Sequence, residues 1–242
     1  MLTALALLAI SAVYASVGQA GGTGFLAIMA VSGVPVDQLR PTALAMNVVA
    51  AAYTTWRLHV AGLIDWRRLA TLAVPALPAA FVGGLIALSP GVYTIVTGAL
   101  LLVAATLMVV RPKAAPWAGG PLPRHGTVAG WAVLGTAAGL LSGLSGIGGG
   151  VFVAPALIVL GWARSREAAG LSAPFILGNS VAGLAGALQS GQQLSPEFPL
   201  FAAVALLGAA LGVVFTRRLS ERAIRLVLAG IISIAGLRLL SR

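Results

Sequence analysis

The chain has 242 residues, 59% hydrophobic and only 8% charged, with no cysteine and a formal net charge of +10. A soluble domain carries about 25% charged residues, so the composition excludes an ordinary soluble protein; the lack of cysteine excludes disulfides, thiolate metal sites and cysteine nucleophiles. Nor does the positive excess call for nucleic acid, because the fifteen Lys and Arg sit in short loops between apolar runs rather than on one basic face, the pattern of topology determinants in a multi-pass membrane protein.

The start, MLTALALLAISAVYAS, resembles a secretory apolar region but lacks a basic segment before it, and is read as a helix of the mature protein. Residues 2–17 could make ~24 Å of helix and residues 25–34, beyond the glycines of VGQAGGTGFLAIMAVSGVP, only ~15 Å. Together they are too long to cross once and too short to cross twice. This predicts a re-entrant hairpin: one helix descends, breaks at the glycines near the midplane, and a half-helix returns. Residues 41–56, 69–88 and 92–110 are apolar runs long enough to cross a ~30 Å hydrocarbon core. RPKAAPWAGGPLPRHG then reads as a linker. Beyond it, 128–142 and 151–161 behave like the opening segments, and 171–188, 198–216 and 223–237 are three further crossings.

The second set repeats the first. LSGIGGGVFVAPALIVLGW (144–162) echoes VGQAGGTGFLAIMAVSGVP (17–35), and GLSAPFILGNSVAGLAG (170–186) echoes PTALAMNVVAAA (41–52). The reading is one membrane domain over 1–242, made of repeat 1 (1–110), linker 111–126 and repeat 2 (127–242). With both hairpins re-entrant, twelve Lys and Arg fall on one side and only Arg40, Arg238 and Arg242 on the other. The positive-inside rule then puts the linker in the cytoplasm and both termini outside the cell membrane, the inner membrane of its host. Three crossings per half, an odd number, invert the second half. The fold expected is therefore an all-α polytopic membrane protein of two inverted repeats, each a Gly-broken hairpin plus three transmembrane helices, a transporter signature.

Exposed backbone within a bilayer is tolerated only where protein buries it or where it lines a wet cavity. The clusters Gly21–Gly22–Gly24 and Gly146–Gly148–Gly149–Gly150 occupy matching places, so we expect them to line a cavity. The short helices begin at Gly24 and Gly150, presenting unpaired N–H groups and positive dipole ends from opposite sides, and such ends bind anions. Gly83, Gly84, Gly183 and Gly186 are read instead as packing glycines. Asn47 and Asn179 lie deep in matching apolar segments, with Thr42 and Ser172 upstream and Ser180 adjacent; each could line the cavity or bond a neighbouring helix. Gln19, Thr23 and Ser145, in the tips, could donate to a substrate oxyanion. Pro155 and Pro174 read as structural kinks. All five acids fall in or beside loops, so no carboxylate for ion coupling is visible in the membrane.

GLSG at 143–146 has the form of an intramembrane serine protease motif, but Ser145 would need a histidine base, and His59 and His125 lie at loop edges. The glycine cluster also lacks the Lys-Ser/Thr of a phosphate-binding loop. Neither enzyme nor cofactor is expected.

SGLSGIGGGVFVAPALIVLGW followed by AAGLSAPFILGNSVAGLAG, together with RPTALAMNVVAAAYTTWR and DWRRLATLAVPALPAAFVGG, resembles the sulfite exporter TauE/SafE family over almost the whole chain. The first glycine motif departs by having Thr23 among its glycines and Met29 where the second half has Pro155. The resemblance implies export of a sulfur-containing anion such as sulfite or a sulfonate; the residues alone imply an anion transporter. A passive anion channel and a non-transporting assembly protein are the alternatives. The partners expected are a small anionic substrate, membrane lipid and, as an option, further copies of the chain.

Overall fold

The structure, a computed structural model, describes residues 2–16, 18–109, 126–215 and 221–241. Among these are ten helices and no strand: α1 (Leu2–Ser16), α2 (Gly22–Val31), α3 (Val36–Val60), α4 (Trp66–Leu85), α5 (Pro90–Val109), α6 (Val128–Ser145), α7 (Gly150–Val159), α8 (Ser165–Gln189), α9 (Phe198–Phe215) and α10 (Glu221–Leu240). The order of lengths from α1 to α5 recurs from α6 to α10, a ten-residue helix and then a twenty-five-residue helix following the first each time. The linker expected over 111–126 lies outside the described residues, apart from Gly126.

The six runs expected to cross are helical, as α3, α4, α5, α8, α9 and α10. Among the described residues, four helices are long and apolar enough to cross a membrane: α4, residues 90–107 of α5, α6, and residues 167–189 of α8. Large apolar side chains such as Val74, Ile95, Val103, Val133 and Leu207 point outward, which suits a surface facing lipid and not water.

Two expectations need correction. The α2 helix starts at Gly22, not Gly24. The arm expected over 128–142 runs to Ser145, and at 18 residues it is long enough to cross by itself. Gly143 does not break it, because that glycine's face lies flat on the Ala80 carbonyl of α4; the helix stops only at Gly146, which turns left-handed with φ +85°. The chain does fold back. Trp162, just past the ten-residue α7, stacks on Trp131 in the first turn of α6 with ring centroids 5.6 Å apart, and covers Gly126 and Gly130.

The two ends of the bundle are distinct. At one, Arg68 pairs with Asp65 at 3.3 Å and Glu167 at 3.6 Å, tying the start of α4 to the start of α8 beside the mouth of the α6–α7 hairpin. At the other, Ser195 N donates to Thr42 Oγ1 at 2.9 Å and Tyr93 Oη to the Ser145 carbonyl at 2.9 Å, gathering the start of α3, the start of α5, the end of α6 and the turn before α9.

The helices approach by way of glycine. On α6, Gly135, Gly139 and Gly143 recur every fourth residue and rest on the Leu72, Ala76 and Ala80 carbonyls of α4, so the two helices run parallel in close contact. Gly208 and Gly212 of α9 rest on Leu8 and Ala12 of α1 in the same way, while Gly84 meets Gly183 and Gly186 meets the Phe81 carbonyl. Without a hydrophobic drive between helices in lipid, such small-residue seams let dispersion and backbone contacts hold the bundle. Substituting Gly139→Val should therefore lower the thermal midpoint by the equivalent of about 3 kcal/mol or abolish monodisperse protein, whereas Gly230→Ala, with open space around it, should leave it unchanged or raise it slightly; thermal unfolding in detergent checks both.

Candidate functional site

The breaks between α1 and α2 and between α6 and α7 come together against α3 and α8. Any Cβ on Gly22 would collide with the Ile147 carbonyl and lie 2.7 Å from Asn47 Nδ2. Gly148 sits between Asn47 and Ile176, each the twelfth residue of its twenty-five-residue helix. One turn back along α3 and two turns on along α8, Leu44 meets Gly183. Numbers rise along α3 as they fall along α8, so the two helices cross antiparallel with the second tip against the crossing. Asn179 and Ser180 lie between Ile176 and Gly183 on that same face of α8.

A helix break leaves two kinds of orphan, carbonyls behind and N–H groups ahead. Here they are treated differently. The last carbonyls of α6 are taken up one after another by side chains from α3 and α5: Arg40 donates to Leu144 at 3.5 Å, Tyr93 to Ser145 at 2.9 Å and Asn47 to Gly146 at 3.4 Å. Those of α1 are closed by the backbone, Gly18 N donating to Ala15 at 3.1 Å and Gln19 N to Tyr14 at 3.0 Å. The N–H groups of Gly22, Thr23 and Gly24 at the start of α2, and of Gly150 and Val151 at the start of α7, have no intrahelical acceptor by position, and no other described residue supplies one. Both breaks therefore cap the carbonyls that end the first helix and leave the first N–H groups of the second without an acceptor.

The side chains proposed for the site divide the same way. Thr23 Oγ1 is bonded to Tyr14 Oη. Ser145 Oγ donates to Leu141 O at 2.6 Å and accepts from Ile147 N, and Ser172 Oγ donates to Ala168 O at 2.7 Å; these hydroxyls are occupied by their own hairpins and helices. Asn47 Oδ1, both amide atoms of Asn179 and Ser180 Oγ are buried with no partner. Gly21 and Gly149, the residues preceding α2 and α7, are left-handed with φ +99° and +76°, which only glycine adopts cheaply. Sequence reasoning missed Ser142, whose buried Oγ is also unpaired and whose Cβ lies 3.3 Å from a Cβ placed on Gly149; its place one turn before Gly146 was the available signal. It also missed Arg40, read as a loop charge because it stands at the edge of the apolar run. Arg40 is 1% exposed.

Two clefts lie elsewhere, at the end carrying the Arg68 ion pairs: one of about 350 Å³ among Arg67, Arg68, Trp131 and Trp162, and one of about 280 Å³ beside Asp65 and Glu167. The tips themselves touch, Gly22 against the Ile147 carbonyl. Among the described residues no histidine stands beside Ser145: His59 packs edge-on against Trp66 at the opposite end.

Compared with known proteins, residues 2–239 match the family described as sulfite exporter TauE/SafE. The chain belongs to this family. It is 33% identical over 249 residues to the probable membrane transporter protein y4hK of Sinorhizobium fredii, covering 98% of this chain and 96% of that one. No solved structure matches. The chain is thus a multi-pass member of a membrane transporter family.

A buried amide without partners is destabilising, so Asn179→Leu should raise stability by about 1–2 kcal/mol, read as a higher thermal midpoint in the absence of added anions. A fall of that size would mean that Asn179 serves the packing of the helices.

Proposed function

We propose that the chain is a secondary transporter that exports a small sulfur-containing or organic anion, of the sulfite and sulfonate class, by alternating access around the two glycine breaks. The observation that carries this reading is the polarity of the breaks: the carbonyls that end α1 and α6 capped, the first N–H groups of α2 and α7 open, with the unpaired amide of Asn179 alongside and Asn47 Nδ2, which donates to the Gly146 carbonyl, holding one further N–H. Preorganised donors without a competing carboxylate suit an oxyanion. Among the described acids none stands against the tips to repel one: Asp37, Asp65 and Glu197 are exposed, and Glu167 pairs with Arg68. The site comprises Gly21, Gly22, Thr23 and Gly24 with Asn47 from one half, and Ser145, Gly146, Gly148, Gly149 and Gly150 with Ser172, Asn179 and Ser180 from the other; Thr23, Ser145 and Ser172 act through the backbone they hold, and Asn47, Asn179 and Ser180 touch the anion. The substrate class rests on the family.

The architecture supports a carrier. Residues 1–110 and 127–242 form inverted repeats within one domain, as the recurring helix lengths and the antiparallel crossing of α3 and α8 suggest. The contact between Gly22 and Ile147 closes the route between the tips, which favours a carrier that separates them alternately on either side over an open channel. Both termini lie outside the inner membrane and the linker 111–126 in the cytoplasm.

Proteoliposomes loaded with labelled sulfite, sulfoacetate, taurine or thiosulfate should show saturable efflux and counterflow for at least one of them; linear, non-saturating flux would make the protein a channel. Asn47→Ala and Asn179→Ala should each weaken the transported anion's binding by roughly tenfold to a hundredfold, with the larger loss at Asn179 because Asn47 already serves Gly146; calorimetry measures this, and wild-type affinity in both would leave the tips alone to hold the anion. Because the chain has no cysteine, Ala118→Cys and Ser241→Cys can be labelled without background. An impermeant maleimide applied to cells should reach the second and not the first, and the reverse would invert the proposed topology.

A further inference from the structure

Arg40 is a buried cation without an anion. Its guanidinium donates from Nε to Gln192 Oε1 at 3.0 Å, from Nη1 to the carbonyls of Ile86 at 2.9 Å, Gly83 at 3.3 Å and Leu144 at 3.5 Å, and from Nη2 to the carbonyl of Gly84 at 2.9 Å. Every acceptor is neutral, and no described carboxylate lies within ion-pair distance of it. Removing a charge from water is costly unless something compensates it. The carbonyls do so in part, because they form the negative ends of α4 and α6, each equivalent to about half a charge.

Its place is at the second break. Gly146 lies against Arg40, a Cβ there falling 3.1 Å from the arginine Cα, and the same Gly146 carbonyl accepts from Asn47. In the first break the equivalent glycine, Gly18, lies against Ala169. Arg40 and Ala169 are each the fifth residue of their helix. The two breaks thus share one construction, but only one of them carries a charge.

We propose that Arg40 sets the charge preference of the anion site, as a positioning residue acting through the carbonyl end of the α6 break. A broken helix presents a negative end and a positive end within a few residues, and an anion at the start of α7 would feel both. Arg40 cancels the negative ends of α6 and α4 together, so that the open N–H groups govern the site. This inference rests on the anion-carrier reading above.

Two turns of helix put Arg40 about 10 Å from Asn47. A unit charge at that distance, in a medium of effective dielectric constant about 20, changes the affinity of a monoanion on the order of tenfold and that of a dianion by roughly the square of that factor. The probes are methanesulfonate, with one charge, and sulfoacetate, with two, titrated calorimetrically into purified wild type, Arg40→Gln and Arg40→Lys. The Gln variant should lose about tenfold for methanesulfonate and about a hundredfold for sulfoacetate. The Lys variant, which keeps the charge but cannot reach all five acceptors, should stay within about threefold of wild type for both while melting at a lower temperature. Equal losses for the two probes in Arg40→Gln, or a Lys variant as impaired as Gln, would reduce Arg40 to a structural clamp and overturn the proposal. If the Gln variant gives no monodisperse protein, the ratio of the two affinities in Arg40→Lys decides: a preserved ratio supports the proposal, and a collapse toward unity overturns it. Wild type that binds neither probe, nor any anion of the transport panel, would overturn the anion-carrier reading itself and this inference with it.

Discussion

An interrupted helix inside an apolar bundle leaves backbone groups that neither water nor the helix can satisfy, and the rest of this structure is organised around that constraint. Hydrocarbon offers no partner, and an unpaired buried amide or carbonyl costs several kcal/mol. The protein places two such interruptions against one another, Gly22 on Ile147, at the middle of its two longest helices. It then resolves half of the problem. The carbonyl ends are capped by Arg40, Tyr93, Asn47 and local turns, and the N–H ends are left open.

The rest of the fold supports that arrangement. Tips can be held in register only if the helices behind them are fixed, and the glycine seams of α6 on α4 and of α9 on α1 bring backbones together closely enough for that. The stacked pair Trp131 and Trp162 closes the mouth of the second hairpin, and the Arg68 ion pairs join the segments around it. The backbone at the two breaks is directional: the carbonyl ends are capped and the first N–H groups are not. Membership of a transporter family gives that arrangement a context.

Much of the scaffold was legible because apolar run length and glycine content are direct readouts of bilayer thickness and backbone geometry. Asn47 and Asn179 read as matching places, but Asn47 is the twelfth residue of α3 and Asn179 the fifteenth of α8, where Ile176 holds the twelfth place. What escaped notice depended on partners distant in sequence. Nothing in LLSGLSG tells that Gly143 packs while Gly146 breaks; Ala80 decides the first and the left-handed turn the second. Thr23 looked available until Tyr14 took its hydroxyl, and Ser145 until Leu141 did. Arg40 looked like a boundary charge because its acceptors, the ends of α4 and α6 and Gln192, are contributed by three other segments.

The central claim, that the open N–H ends of α2 and α7 hold the anion between the glycine tips, is tested most directly by locating the anion. Crystals soaked in selenite, an oxyanion of sulfite's shape, would show selenium by anomalous scattering. The account predicts a peak at hydrogen-bonding distance from the first N–H groups of α2 or α7 and from the Asn179 side chain. A selenium peak confined to the cleft of Arg67, Arg68, Trp131 and Trp162, with the tips unchanged at saturating selenite, would contradict it.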